Sequence, residues 1–409
     1  MEEQFKEYAK LLVEVGVNIQ PGQNLVIASP VECAWFARLC AQAAYDAGCR
    51  EVIMDWNDGP LARMKYLHAA DDVFDSYPGW RADFCNGFAR EGTAHLIIAA
   101  DDPENLKGVP QDRITRSQRS AGKALAEFRR LQMCNGFPWC IAAIPVPAWA
   151  RKVFPDRSEE EAMSGLWSAI LSAVRVQDRG DAVERWREHL DTLKTRVDKL
   201  NGLDLESLHY TNRLGTDLVI RLPEDHVWAG GNGVSAAGVP FIPNIPTEEI
   251  FTAPLKEGID GVVYASMPLS HRGNLIDKFW MKVQRGKIVE VHAEVGEEAL
   301  QAAISVDEGA SYFGEVALVP YDSPISNQRL LFYETLFDEN ASCHLAFGEA
   351  YSECIKGGTE MSKEELKECG LNDSITHVDF MVGTADLSIT GQTWDGREVP
   401  IFVNGNFVI

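Results

Sequence analysis

Hydrophobic and polar positions along this chain follow two different periods, and the change falls near residue 200. In the first half, short apolar runs alternate with helical stretches. Residues 1–16 place Phe5, Leu11, Leu12 and Val15 at helical spacing and stop at Gly16. Pro21-Gly22 turns into an apolar run at Asn24–Ala28, and Val31–Gly48 is predicted as a helix closed by its glycine. Further apolar runs at Glu51–Asp55, His95–Ala100 and Cys140–Pro145 are predicted as strands. Apolar strands interleaved with helices predict a mostly parallel sheet with both faces covered. Two helices follow. Ser158-Glu-Glu-Glu161 has the spacing of a capping box, and the helix beginning near Asp181 carries Trp186, Leu190, Leu193, Val197 and Leu200 as one packing stripe.

From about residue 205 the period shortens to that of strands. Leu208–Leu222 predicts two strands around Asn212–Gly215. Arg285-Gly286 sits between strands at Trp280–Gln284 and Lys287–His292, and Asn404-Gly405 between Ile401–Val403 and Asn406–Ile409. Both dipeptides signal two-residue hairpin turns. The expected architecture is an α/β N-terminal domain with a mostly parallel sheet, over 1–200, then an α+β C-terminal domain with antiparallel strands, over 201–409.

Composition narrows the function. The 409 residues carry a formal net charge of −23, which argues against nucleic acid and anionic membrane surfaces as partners but suits a site that gathers cations. The nine cysteines are scattered, with no C-x-x-C pair, as expected of reduced thiols in the cytoplasm. The N-terminus has no signal-peptide pattern, and no apolar run is long enough to span a bilayer. The strand-to-helix turns contain neither G-x-G-x-x-G nor a Walker A sequence, and Gly230–Gly233 lacks the lysine and the following helix of a phosphate loop.

Candidate chemistry lies in the second half. Ile375–Val382 alternates as a strand, so His377 and Asp379 share a face. Burying them unpaired would cost about 1–3 kcal/mol each, so they need either a mutual hydrogen bond or a shared metal ion. Glu248 and Glu249 sit in a proline-flanked segment, Glu315 lies among apolar neighbours, and His344 is followed by Glu349 and Tyr351. Two histidines and three carboxylates form the N/O donor mix of a zinc, cobalt or manganese site, and this many carboxylates suit two ions sharing one of them.

These segments resemble the thermophilic metalloaminopeptidases known as aminopeptidases T, S and II. The resemblance runs along essentially the whole chain and is sharpest at Glu249-Ile-Phe-Thr-Ala-Pro254, Gly314-Glu315, Leu336–His344 and His377-Val-Asp379. It implies that Glu249, Glu315, His344, His377 and Asp379 hold two divalent ions (zinc, cobalt, magnesium or manganese), with Tyr351 close by. It also implies a homodimer with an enclosed active site. The expected reaction releases the N-terminal amino acid from a short peptide with the aid of metal-activated water. Tyr351 is then a hydrogen-bond donor to the developing oxyanion and Glu248 the acceptor of the water's proton, with Glu349 and Glu353 as alternatives. Every expected ligand follows residue 248, so the first domain is expected to wall the cavity. Two other readings remain: a different metal-dependent amide hydrolase, and a non-catalytic binding protein whose His–Asp pair is structural.

Overall fold

The computed structural model describes residues 1–177, 180–271 and 273–409. The chain forms two compact units. The first comprises 1–188 and 232–246, the second 189–231 and 247–409.

The first unit is built on a five-stranded sheet in the order Glu51–Asn57, Asn24–Pro30, Ala94–Ala99, Trp139–Ala143, Asn244–Ile245. Every neighbouring pair is parallel. Burial along the second and third of these strands is nearly continuous, as a sheet covered on both faces requires. The predicted capping box is formed: the Ser158 side chain accepts the Glu161 amide and the Glu161 carboxylate accepts the Ser158 amide, opening the helix Glu159–Ala173.

The second unit carries two antiparallel sheets. One has nine strands, among them Leu205–Thr211, Asp217–Arg221, Ile259–Tyr264, Asn274–Gln284, Lys287–Val295, Ser388–Thr393 and Glu398–Val403. Its two predicted hairpin turns are present, with positive φ at Arg285 (48°) and Gly286 (76°) and at Asn404 (50°) and Gly405 (72°). Positive φ at both central residues is the signature of the turn that matches strand twist. The other sheet has four strands in the order Ile250–Thr252, Phe313–Leu318, His344–Gly348, His377–Met381. Ile250, Val316, Leu318, Leu345, Phe347, Val378 and Phe380 belong to the core of this unit, together with Leu208, Tyr210, Met281 and Ile389 from the larger sheet.

The expected boundary near residue 200 falls at the end of the helix Ala182–Asn201, which the division at 188/189 cuts. Its stripe is a packing face: Trp186, Leu193 and Leu200 are buried, and the last two lie in the core of the second unit. Residues 232–246 return to the first unit because Asn244–Ile245 adds the fifth strand to its sheet. Among the described residues, no helix is long and apolar enough to cross a membrane.

Candidate metal centre

The four-stranded sheet has one apolar face and one polar face. Phe251 pairs with Ala317, Ala317 with His344, Glu315 with Ala346, and Ala346 with Asp379. Directly paired residues on neighbouring strands point to the same side. Glu315, His344, Asp379 and, two residues before Asp379, His377 therefore project from the face opposite the Leu345–Phe380 core, and Glu249 immediately precedes the edge strand Ile250–Thr252. Two glycines permit the close approaches this needs. A Cβ on Gly314 would lie 2.2 Å from the Glu349 carbonyl oxygen, and one on Gly348 (φ 114°) 2.0 Å from that of Thr376.

All five residues expected as ligands are brought together. One donor atom each from Glu249, Glu315 and His344, and one each from Glu315, His377 and Asp379, form two groups in which the atoms lie within 4.8 Å of one another. Glu315 belongs to both. His344 Nε2 is 3.1 Å from Glu249 Oε2. His377 Nε2 is 2.9 Å from Glu315 Oε2 and 3.2 Å from Asp379 Oδ1. His344 Nδ1 donates to the Ser342 carbonyl (3.1 Å) and His377 Nδ1 to the Glu349 carbonyl (2.8 Å). A carbonyl only accepts, so Nδ1 carries the proton in both rings and Nε2 is turned to the cluster, the arrangement expected of metal-ligating histidines.

The electrostatics call for positive charge. Burial pushes the Glu315 carboxyl up, against the hydrogen bond from His377. Burial alone would depress His344, but the adjacent Glu249, with Glu315 and Asp379 behind it, raises it to about 10. His377 is likewise raised against its burial by the Tyr351 oxygen, Asp379 and Glu315. Asp379 is lowered in spite of burial, by His377 first and then by His344. Without metal, the carboxylates thus favour the protonated form of both imidazoles. Divalent cations would neutralise the carboxylates with full coordination, and the mixed N/O donor set fits them.

Tyr351 stands beside this cluster, its ring centroid 4.9 Å from that of His377 and 5.9 Å from that of Phe251. Its phenol is raised: the pull of His377 is outweighed by burial and by Glu315 and Asp379, so it stays a donor. Glu248 belongs to neither donor group. It is buried, its carboxylate lies 3.7 Å from His189 Nε2, and its amide donates to Asn340 Oδ1 (2.8 Å). Glu349 accepts the Ser374 amide and lies 3.5 Å from Lys363, and neither it nor Glu353 joins the donor groups.

Sequence reasoning missed Glu339. Burial raises its carboxyl well above the usual range, and Asp379, Glu249 and Glu315 add to the shift, which places a fourth acidic group beside the cluster. It lies in a short 3₁₀ turn, Glu339–Ala341, where no periodicity marks it; the only sequence signal is its position within the Leu336–His344 motif. The preceding Asp338 is buried and pushed up to about 8 by that burial, although it accepts the backbone amides of Phe332 (2.7 Å) and Glu334 (3.2 Å).

Two N/O donor groups on one face of a sheet, with one carboxylate common to both, could hold the divalent ions that metal-dependent hydrolases use. Comparison with known proteins agrees. The thermophilic metalloprotease (M29) family profile matches residues 1–407, and the chain belongs to that family. It is 46% identical over 400 residues to aminopeptidase AmpS of Bacillus subtilis, covering 98% of this chain and 97% of that one. It is 46% identical over 406 residues to aminopeptidase 2 of Geobacillus stearothermophilus, covering 99% and 98%. The solved structure of wild-type AmpT from Thermus thermophilus superposes with a TM-score of 0.93 at 38% identity over 100% of both chains. The protein is a metal-dependent aminopeptidase, a hydrolase acting on peptides.

Proposed function

We propose that this protein is a dinuclear aminopeptidase that removes N-terminal residues from short peptides. The carrying observation is Glu315, whose carboxylate belongs to both donor groups. Glu249 and His344 would hold one ion, His377 and Asp379 the other, with Glu315 common to both and Glu339 completing the donor set. Zinc, cobalt, manganese and magnesium all match these donors to differing degrees. Such ions supply a water acidified to near-neutral pKa and a Lewis acid for the scissile carbonyl.

The remaining work falls to side chains. Tyr351, kept protonated beside His377, donates to the oxygen of the carbonyl as negative charge develops there. Glu248 takes the water's proton: it is buried, it adjoins Glu249 in the chain, and its amide is pinned by Asn340. The Ser342 and Glu349 carbonyls hold the two imidazoles in the ligating tautomer. A homodimer in the cytoplasm belongs to the same reading; the family resemblance supports the first, and nine unpaired cysteines the second.

Metal analysis of the purified protein, run alongside hydrolysis of aminoacyl-p-nitroanilides, tests this. About two ions per chain, cleavage of free-amine substrates, loss of rate on chelation and no cleavage of N-acetylated analogues are expected. Efficient cutting of internal bonds in casein would refute the exopeptidase reading. Glu248→Gln should lower kcat with metal content unchanged, whereas Glu339→Gln should lower metal content; the reverse pattern would exchange their roles.

A further inference from the structure

His377 presents Nε2 to the cluster because the Glu349 carbonyl holds the proton on its Nδ1 (2.8 Å). That carbonyl follows Gly348, the last residue of its strand, whose φ of 114° belongs to a range open mainly to glycine. Backbone with that freedom needs an outside tie to keep one orientation. Asn372 supplies it. This residue lies outside every strand and is 3% exposed. Its side-chain amide donates to the carbonyls of Gly348 (2.7 Å) and Gly309 (2.8 Å), with that of Tyr312 at 3.4 Å. Carbonyls only accept, so the end of the amide at which three of them converge is its nitrogen. The Asn372 backbone carbonyl accepts the Ala350 amide (3.1 Å). One residue thus grips the peptide groups on both sides of Glu349. The peptide before it is held at its carbonyl by Asn372 and at its amide by the Thr376 carbonyl (2.7 Å). The peptide after it is held at its amide by Asn372, which leaves its carbonyl aimed at His377. The approach to His377 has a separate tie, since Asp307 accepts from the Ser374 hydroxyl (2.8 Å) and the Ile375 amide (2.7 Å). The ring and its acceptor are therefore fixed independently, the acceptor by Asn372.

We propose that Asn372 is a positioning residue for hydrolysis: by locking the backbone around Glu349 it keeps the His377 imidazole turned to the ion position it shares with Glu315 and Asp379. The proposal rests on the dinuclear reading. It is selective between the two positions, because the His344 Nδ1 proton goes to the Ser342 carbonyl and owes nothing to Asn372. Groups that orient a metal-ligating histidine commonly change metal affinity about 10–100-fold.

The test compares the zinc-loaded parent with Asn372→Ala, Asn372→Ser and, as a control for stability alone, Asn212→Ala. Asn212 Oδ1 accepts the Gly215 and Thr216 amides in a hairpin turn of the larger sheet, so its loss removes hydrogen bonds of the same unit without touching Glu349. Metal content is measured after dialysis. Imidazole N–H resonances are recorded on histidine-15N-labelled protein, the His377 and His344 signals being those that His377→Ala and His344→Ala delete. Asn372→Ala is expected to lose about one of the two ions, to broaden the His377 Nδ1–H signal while that of His344 persists, and to lower kcat about tenfold or more with little change in KM. Asn372→Ser keeps a donor but cannot reach both close carbonyls, so it should fall between Asn372→Ala and the parent, and it carries the test if Asn372→Ala does not fold. Asn212→Ala should unfold at lower urea concentration with both ions and both signals kept. Full metal content and an unchanged His377 signal in the folded Asn372 variants would overturn the positioning role and leave the dinuclear reading standing. Equal metal loss in Asn212→Ala would overturn it as a mere stability effect. A parent that binds at most one ion would overturn both readings.

Discussion

Ala346 occupies the centre of the floor beneath the cluster. It is fully buried and pairs directly with Glu315 on one side and Asp379 on the other. Neighbouring strands run about 4.8 Å apart, so the Ala346 methyl lies about 5 Å from the Cβ atoms of both carboxylates. Two ions sharing a carboxylate stand about 3.5–4 Å apart, with donor atoms about 2 Å from each. Carbon atoms need about 3.5–4 Å from their neighbours, so no added methyl fits between ion and ligand. Ala346→Val puts two methyl groups into that space. A folding cost of about 1–3 kcal/mol is expected from overpacking. The larger effect is on metal, since disturbance of supporting residues alone commonly weakens binding about 10–100-fold. A 100-fold loss removes about 2.7 kcal/mol of the stabilisation that bound metal gives the native state. Metal stoichiometry after dialysis, and melting with and without chelator, read this out. The parent should melt at a markedly lower temperature once stripped, Ala346→Val should show a much smaller difference, and Ala346→Gly should behave like the parent in metal content. Parental stoichiometry and an undiminished chelation shift in Ala346→Val would refute the floor argument.

His377→Ala should empty or weaken at least one ion position and abolish turnover with circular dichroism unchanged; full metal content and normal rate would contradict the cluster. Asn340→Ala orphans the buried Glu248 amide, which costs about 1–3 kcal/mol in urea denaturation and should lower metal affinity as well. In the first unit, burial drives the His95 imidazole down to about 4 against its hydrogen bond to the Thr93 carbonyl. Below about pH 6.5 the unfolded chain then takes up a proton that the native state refuses, so this contribution is complete above 6.5 and is lost as pH falls to 4, about 3 kcal/mol in all. His95→Phe, set among Phe128 and Phe137, should flatten that part of the stability–pH curve relative to the parent; an identical slope would refute the assignment. The fragment 201–409 should fail to fold, since it lacks Leu193 and Leu200 of its own core and retains the strand Asn244–Ile245 of the other unit; a cooperative unfolding transition in the fragment would show otherwise.

How much of this was legible beforehand depended on how local the signal was. His377 and Asp379 were readable because a strand's period of two is written in five consecutive residues. Glu315 and His344 lie on different strands and Glu249 just before a third, and the register that joins them is a long-range property that no window of sequence contains. Residue types made them a candidate donor set, and motif resemblance singled them out as the ligands. Glu339 lies in a 3₁₀ turn without periodicity, and the return of 232–246 to the first unit depends on a two-residue strand, too short to carry a pattern. The alanines carry the same lesson further. Ala317 and Ala346 look like ordinary core positions within buried strands, yet register places both on the polar face, Ala317 between Phe251 and His344, Ala346 between Glu315 and Asp379. A charged cluster needs donors, which a composition can reveal, and it needs empty volume, which is set by the small residues among them. Candidate ligands can be named from residue types, whereas the room for ions becomes visible only once the strands are paired.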